Sequence, residues 1–372
     1  MSTVNQFRKE LQGQDGQSVQ LNKGHFNLDT DERSAEFSRK MALGWEEEYA
    51  QYRADWEHLP REKIVRDYPL LVDIELASSC NLKCPMCYTT TQHYADNVKR
   101  KLMKWELFTK VIDEVAGKVP AIRLSWRGES TIHKKFIDAV RYAKQKGVGE
   151  VSFLTNASKL DLDYFKQLVD AGADWITVSF DGLGEAYNNI RAPLKYEETL
   201  AKLRAAMEYK QQHGLARPLI KVQGIWPAIR KNPQDFYNTM REVSDLVAFN
   251  PLIDYLGNDA EEDIVYEQHF SCPQIYQRVF VSSTGDAMMC NSDEYGEEII
   301  GNATRQTIHE IWHGEKLNRI RKLHAQEDGF KGVPICKRCF YPRKTEVGEQ
   351  ALVDGRIVLV ENYVNRKQEV GS

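Results

Sequence analysis

Apolar residues recur along this chain in two rhythms. Between residues 29 and 56, Phe37, Met41, Trp45, Tyr49, Tyr52 and Trp56 return at helical spacing among charged residues. That spacing predicts one amphipathic helix packed against the main body, in preference to a lid over substrate. From residue 71 the rhythm shortens to apolar runs rich in branched and aromatic residues, which predict strands over 71–77, 121–126, 150–156, 175–180, 219–226 and 247–252. Helical stripes lie between them. Leu107, Phe108, Val111, Ile112 and Val115 mark one; Phe165, Leu168 and Val169 mark another that stops at Gly172. Tyr196, Leu200, Leu203 and Met207 line a third, ending near Gly214, and Phe236, Met240 and Val243 line a fourth that starts after Pro233.

Strand and helix in alternation imply a parallel sheet with right-handed crossovers, and six such units suit an open α/β barrel. In barrels the chemistry gathers on loops at the C-terminal ends of the strands. After residue 253 the alternation stops. Residues 278–281 and 287–290 flank Ser-Ser-Thr-Gly-Asp, a hairpin signature; 308–323 reads as one helix; and 352–353 with 357–360 flank Asp354-Gly355, a second hairpin. The expected organisation is a polar and helical N-terminal extension over 1–70, a barrel over 71–255, a small irregular domain over 256–345, and a hairpin and tail over 346–372. The first 28 or so residues, polar and rich in Gln and Gly, read as a flexible start or a strap. The small domain has too thin a core to stand alone, so a metal staple is expected there.

Composition narrows the partners. The 372 residues carry a formal net charge of -4 and no long Lys/Arg block, so nucleic acid is not an expected partner. Neither a membrane-length apolar stretch nor a signal-peptide-like run at the N-terminus is present in the sequence, and a cytoplasmic location without membrane association is expected.

Seven cysteines carry the candidate chemistry. Cys80-Asn-Leu-Lys-Cys84-Pro-Met-Cys87 follows the first barrel strand; Cys272, Cys290, Cys336 and Cys339 lie downstream. Three thiolates within eight residues can wrap one corner of a cubane cluster and leave its fourth iron without a protein ligand. A zinc site or a closed electron-transfer cluster are the alternatives, although a structural zinc needs a fourth ligand and only His93 lies close by. For the downstream four, spacing alone does not separate zinc from a cubane.

The CxxxCxxC spacing at the end of the first strand resembles the radical S-adenosylmethionine superfamily, whose fold is a partial (β/α)6 barrel. The resemblance implies a four-iron cluster on Cys80, Cys84 and Cys87 and bound S-adenosylmethionine, cleaved by an electron from the cluster to a 5′-deoxyadenosyl radical that abstracts hydrogen from substrate. Trp126-Arg127-Gly128-Glu129-Ser130 is similar to the family's Gly-Gly-Glu motif, with Arg127 in place of the first glycine. Gly128 and Glu129 are thereby expected at the methionine ammonium. Leu154-Thr155-Asn156-Ala157 resembles the Thr-Asn-Gly end of the third strand, and Asn156 would meet a polar group of the cofactor. Val178-Ser179-Phe180-Asp181-Gly182 with the trailing Arg191 resembles the segment whose Ser and Arg bind ribose or carboxylate. Gln223 and Ile225 would flank the adenine, and Met86 stands where many relatives place an aromatic residue.

Cys272, then Gly285-Asp-Ala-Met-Met-Cys290, then Cys336-Lys-Arg-Cys339 resembles the SPASM domain of many such enzymes. Full SPASM domains hold two clusters, whereas four cysteines build one, so a single auxiliary four-iron cluster on Cys272, Cys290, Cys336 and Cys339 is expected. Four protein ligands leave no place for substrate, which favours electron acceptance and hence oxidation. Asp254 and Asp181, at strand ends, are the candidate bases. The expected substrate is a small hydroxylated metabolite such as a sugar, a nucleotide sugar or an aminocyclitol, with a reductase, flavodoxin or ferredoxin as electron donor. Radical epimerisation and peptide modification are the other enzymatic readings, and a zinc-stapled binding protein the non-enzymatic one.

Overall fold

The computed structural model describes residues 26–251 and 264–365. Its backbone is a ten-stranded sheet in the order β1-β7-β6-β5-β4-β3-β2-β8-β9-β10. Six strands, β2 (Leu71–Ile74), β3 (Ala121–Arg123), β4 (Glu150–Thr155), β5 (Trp175–Ser179), β6 (Leu219–Ile225) and β7 (Leu246–Asn250), pair in parallel and in sequence order. This is the partial (β/α)6 barrel. Each strand sits where an apolar run predicts one, and most end one to three residues early, because their last residues turn outward into the loops that carry the polar motifs.

The flanking strands extend the sheet beyond the barrel. β1 (Phe26–Asn27) pairs antiparallel with β7 at one edge. At the other, β8 (Arg278–Val281) runs parallel to β2, and β9 (Asp286–Met288) and β10 (Ile299–Asn302) follow antiparallel. The small C-terminal region therefore leans on the barrel by a shared ladder.

Helices cover the outer face. Leu107, Phe108, Val111, Ile112 and Val115 are all buried on the helix Trp105–Val115. The helix Leu162–Ala171 is capped by the Asp161 side chain, which accepts from the Tyr164 N–H, and ends at Gly172 with φ +85°. The helix Phe136–Gln145 has no counterpart in the sequence reading. Two of its four buried residues, Ala139 and Ala143, are too small to stand out as an apolar stripe.

Two expected single helices are each divided. Residues 29–56 form Asp31–Ala42 and the start of Glu46–Glu62, separated at Gly44, whose φ of +82° no helix accommodates. Residues 308–323 form Ile308–Trp312 and Glu315–His324, parted at Gly314. The helix Glu46–Glu62 closes the barrel floor: Tyr52, Trp56 and Leu59 pack with Leu70, Leu71 and Ala121 at the start of β2 and β3. This is the packing role expected of it. A separate hairpin, β11 (Thr345–Val353) and β12 (Arg356–Tyr363), turns at Asp354-Gly355 with both φ positive and reaches back to the barrel, where the Trp226 indole donates to Glu349 (3.0 Å).

Candidate functional site

The Cys80–Cys87 loop leaves the C-terminal end of β2. Its entry is pinned by Ser78, whose hydroxyl accepts from the Lys101 N–H at 2.7 Å, and by the Cys87 N–H donating to the Cys84 carbonyl at 3.0 Å. The Leu82 N–H points at the Cys80 sulfur (3.4 Å), and the Asn156 amide lies 3.8 Å from it. An Arg191 N–H lies 3.7 Å from the Cys84 sulfur. Burial, together with the Glu129 carboxylate and the two neighbouring thiols, pushes the Cys80 thiol up to about 11, and burial raises Cys84 as well. A cation bound in the loop favours the thiolates that this environment otherwise disfavours.

The loop after β3 is welded to the cysteine loop. Gly128 has φ +63°, and a Cβ there would press on the Ser79 carbonyl and lie 2.8 Å from that of Ala77. The Glu129 N–H donates to the Ser79 carbonyl (2.9 Å). The Glu129 carboxylate is buried and accepts from the Thr131 N–H (3.3 Å) and hydroxyl (2.5 Å), the Thr155 hydroxyl (2.8 Å) and the Asn156 N–H (2.7 Å). Burial raises its pKa; these donors work in the opposite direction. Next to it the Ser130 hydroxyl is buried without a partner in the protein, an orphan that a bound polar group would satisfy.

Asp181 lies buried at the end of β5, receiving two N–H groups of Arg191, one of them at 2.6 Å, and the Ile225 N–H at 3.0 Å. Arg191 keeps its charge: burial opposes it, but the Asp181 carboxylate and Cys84 more than offset that and raise its pKa. The strand ends thus bring Asn156, Arg191 and Asp181 around the cysteine loop. Ser179 and Gln223 are register partners on β5 and β6, and Ile225 ends β6. Met86 is half-buried within the loop itself. Asp254 lies outside the described residues.

Arg127 shows what the departure from Gly-Gly-Glu does. It forms a buried two-pronged pair with Glu75 at the end of β2 (2.6 and 2.8 Å), donates to the Glu294 carbonyl (3.1 Å), and lies over the Trp126 ring at 3.9 Å. Glu75 also accepts from the Ser283 N–H (2.9 Å) in the β8–β9 turn. The guanidinium fills a place where a glycine would leave a buried carboxylate unpaired.

The downstream cysteines surround one cavity. Cys272, Cys290, Cys336 and Cys339 line it together with Phe270, Met289 and other apolar groups. Burial and repulsion by neighbouring thiols push Cys272 up to about 12 and Cys290 and Cys336 also upward, and burial with the nearby Glu294 carboxylate raises Cys339. Four thiolates on one zinc at 2.3 Å stand roughly 3.8 Å apart. Among the described residues the trio of metal-ligating types gathered within 4.8 Å is Asp67, His309 and His313, not cysteines. No three cysteines of either set gather that closely among the described residues. The Asp67 trio has its own explanation, since His309 and His313 hydrogen-bond the Asp67 side chain and carbonyl (both 2.9 Å), docking the linker before β2 on a helix.

A short segment joins the two sets. Immediately after Cys290, the Asn291 carbonyl accepts from the Trp126 indole (3.3 Å), the Glu294 carbonyl accepts from Arg127, and Tyr295 packs edge-on to Tyr88, the residue after Cys87, with ring centroids 6.3 Å apart. Glu294 itself is buried, and burial pushes its carboxyl up to about 8. Sequence reasoning missed Glu294 and Glu75, because neither stands in a motif and their partners lie far away in the chain.

With this geometry in hand, the comparisons agree. Residues 74–243 match the model of the radical SAM superfamily, and residues 272–340 match the SPASM iron–sulfur cluster-binding domain. Among curated proteins the chain is similar to the tungsten-containing aldehyde ferredoxin oxidoreductase cofactor-modifying protein of Pyrococcus furiosus, 26% identical over 268 residues, which is 70% of this chain and 73% of that protein. Among solved structures it resembles BtrN in complex with AdoMet and 2-DOIA, with a TM-score of 0.51, 16% identity, and coverage of 74% of this chain and 94% of that one. It also resembles anSMEcpe with AdoMet and the Cp18Cys peptide, with a TM-score of 0.52, 16% identity, and coverage of 69% and 84%. At such identities the two structures speak to the fold alone.

Proposed function

The chain belongs to the radical S-adenosylmethionine superfamily, with S-adenosylmethionine and iron–sulfur clusters as its cofactors, and from that premise we propose that it dehydrogenates a small hydroxylated metabolite such as a sugar, a nucleotide sugar or an aminocyclitol. The bound cofactors supply a 5′-deoxyadenosyl radical to take a hydrogen atom from substrate and, in the auxiliary cluster, an acceptor for the electron left behind.

The protein's part is placement. We assign Cys80, Cys84 and Cys87 to the first cluster, Cys272, Cys290, Cys336 and Cys339 to the second, and Met86, Gly128, Glu129, Asn156, Ser179, Arg191, Gln223 and Ile225 to S-adenosylmethionine. One Glu129 oxygen, Oε2, accepts from the Asn156 N–H alone in the protein and keeps a lone pair for an ammonium. Asp181 serves as the counter-ion that aims Arg191, since three N–H donors already occupy it. The proton of an oxidised hydroxyl then goes to Asp254 or Glu294, the latter a carboxyl whose pKa suits proton transfer near neutrality.

The observation that carries the oxidative reading is the segment 291–295, which runs from the auxiliary cysteines to the first cysteine loop. A path that short suits electron exchange, and a cavity closed by four thiols suits electron storage over substrate ligation. A second reading, modification of another enzyme's metal cofactor, draws on the Pyrococcus furiosus relative.

Anaerobically prepared protein with about eight irons per chain, reduced in the presence of S-adenosylmethionine and a panel of polyols, tests the reading. The expected product has lost two hydrogens: one as an atom, one as a proton, with one electron passed on. A product of unchanged mass would mean epimerisation and defeat the proposal.

A further inference from the structure

On a chain with a net charge of -4, residues 99–104 read Lys-Arg-Lys-Leu-Met-Lys. Lys99, Arg100, Lys101, Leu102 and Lys104 are all exposed, Leu102 at 43%, and among the described residues no ion pair engages any of the four cations. Backbone bonds lay this strip against the segment that enters the first cysteine loop. The Ser78 N–H donates to the Lys101 carbonyl (3.0 Å), the Met103 N–H to the Leu76 carbonyl (2.9 Å), and Ala77 forms a β-bridge with Leu102. The Ser78 hydroxyl donates to the Lys99 carbonyl (3.0 Å), and Arg100 reaches the Thr89 carbonyl (3.4 Å) two residues past Cys87. The strip thus touches the loop on both sides.

The basic surface continues. His133 lies 3.0 Å from the Met103 carbonyl through its ring nitrogen, which brings the exposed Lys134 and Lys135 alongside, with Lys135 over the Trp105 ring. Asp96, Glu106 and Asp138 are exposed carboxylates at its margins, the last paired with Arg141. Four cations without ion pairs around one exposed leucine form a local basic surface that steers and holds a partner of opposite charge.

We propose that this strip is the docking surface for a small acidic one-electron carrier protein of the flavodoxin type. The carrier sits on Lys99, Arg100, Lys101 and Lys104 with Leu102 at the centre of contact, behind the cysteine loop, so that the barrel mouth stays free for substrate. In the transfer the carrier is oxidised by one electron and the cluster is reduced by one. The inference rests on the reading that Cys80, Cys84 and Cys87 hold that cluster.

The test is stopped-flow bleaching of the holoenzyme's cluster absorbance by a reduced flavodoxin and, separately, by dithionite. The Lys99→Glu/Lys101→Glu variant is expected to lower the flavodoxin rate at low ionic strength by about tenfold or more and to flatten its salt dependence. Its dithionite rate and iron content should match the parent, and Lys231→Glu/Lys322→Glu, elsewhere on the surface, should leave the flavodoxin rate within twofold. An unchanged flavodoxin rate in the first variant, an equal fall in the second, or a parallel fall with dithionite each overturns the docking surface. Failure of the underlying cluster reading looks different, because replacing Cys80, Cys84 and Cys87 with Ala would then leave the parent's iron content and dithionite bleaching unchanged.

Discussion

Replacing Arg127 with methionine removes the guanidinium that holds Glu75 and leaves every other group in place. The Glu75 side chain has no exposure and that of Arg127 only 5%. After the replacement the carboxylate keeps one donor, the Ser283 N–H, in surroundings that water does not reach. Stranding one member of a buried pair costs about 3–5 kcal/mol, and loss of the stacked contact with Trp126 contributes about 0.5–2 kcal/mol within that range. Arg127→Met combined with Glu75→Gln removes the unpaired charge while the amide oxygen still accepts from Ser283, so the double variant is expected to recover at least about 2 kcal/mol relative to the single one. Anaerobic urea unfolding, followed by tryptophan fluorescence, measures all four members of the cycle. A single-variant loss below about 1 kcal/mol, or strict additivity, would refute the argument that this pair clamps the barrel to the β8–β9 turn.

Two further outcomes are expected. Gly128→Ala forces a side chain against the Ser79 and Ala77 carbonyls at φ +63° and should destabilise the protein by about 1–3 kcal/mol while weakening S-adenosylmethionine binding, read by equilibrium dialysis. Lys221 lies buried on β6, where burial, then repulsion by Arg123, holds its pKa down to about 7 against 10.5 in the unfolded chain. Between those values the unfolded state binds the extra proton, so the contribution of Lys221 to stability should rise as pH climbs from 7 towards 10, and the urea midpoint of the parent should climb relative to that of Lys221→Met across the range.

The sequence makes the strands legible because each is an apolar run, and the cysteine loop because its spacing is local. What it hides is pairing at a distance. Nothing near Arg127 announces Glu75, 52 residues earlier, and nothing in Arg278–Val281 announces β2 as its neighbour rather than the hairpin alone. Asp181 reads as a free carboxylate in its motif, yet the turn of Glu185–Ile190 swings Arg191 onto it. Gly44, with φ +82°, and Gly314, with ψ 152°, divide helices whose apolar spacing runs on across the break, since periodicity registers a stripe and not the backbone torsion of one residue.

The ladder between β2 and β8 constrains any attempt to build chimeras. β2 leads straight into Cys80, so a graft that exchanges the region beyond residue 264 for that of a relative also replaces β8, the strand that pairs with β2 along one edge. Such a graft must reproduce the four register partners from Leu71 with Arg278 to Ile74 with Val281. An insert chosen for its cysteines alone would arrive without the edge that holds the other half in place.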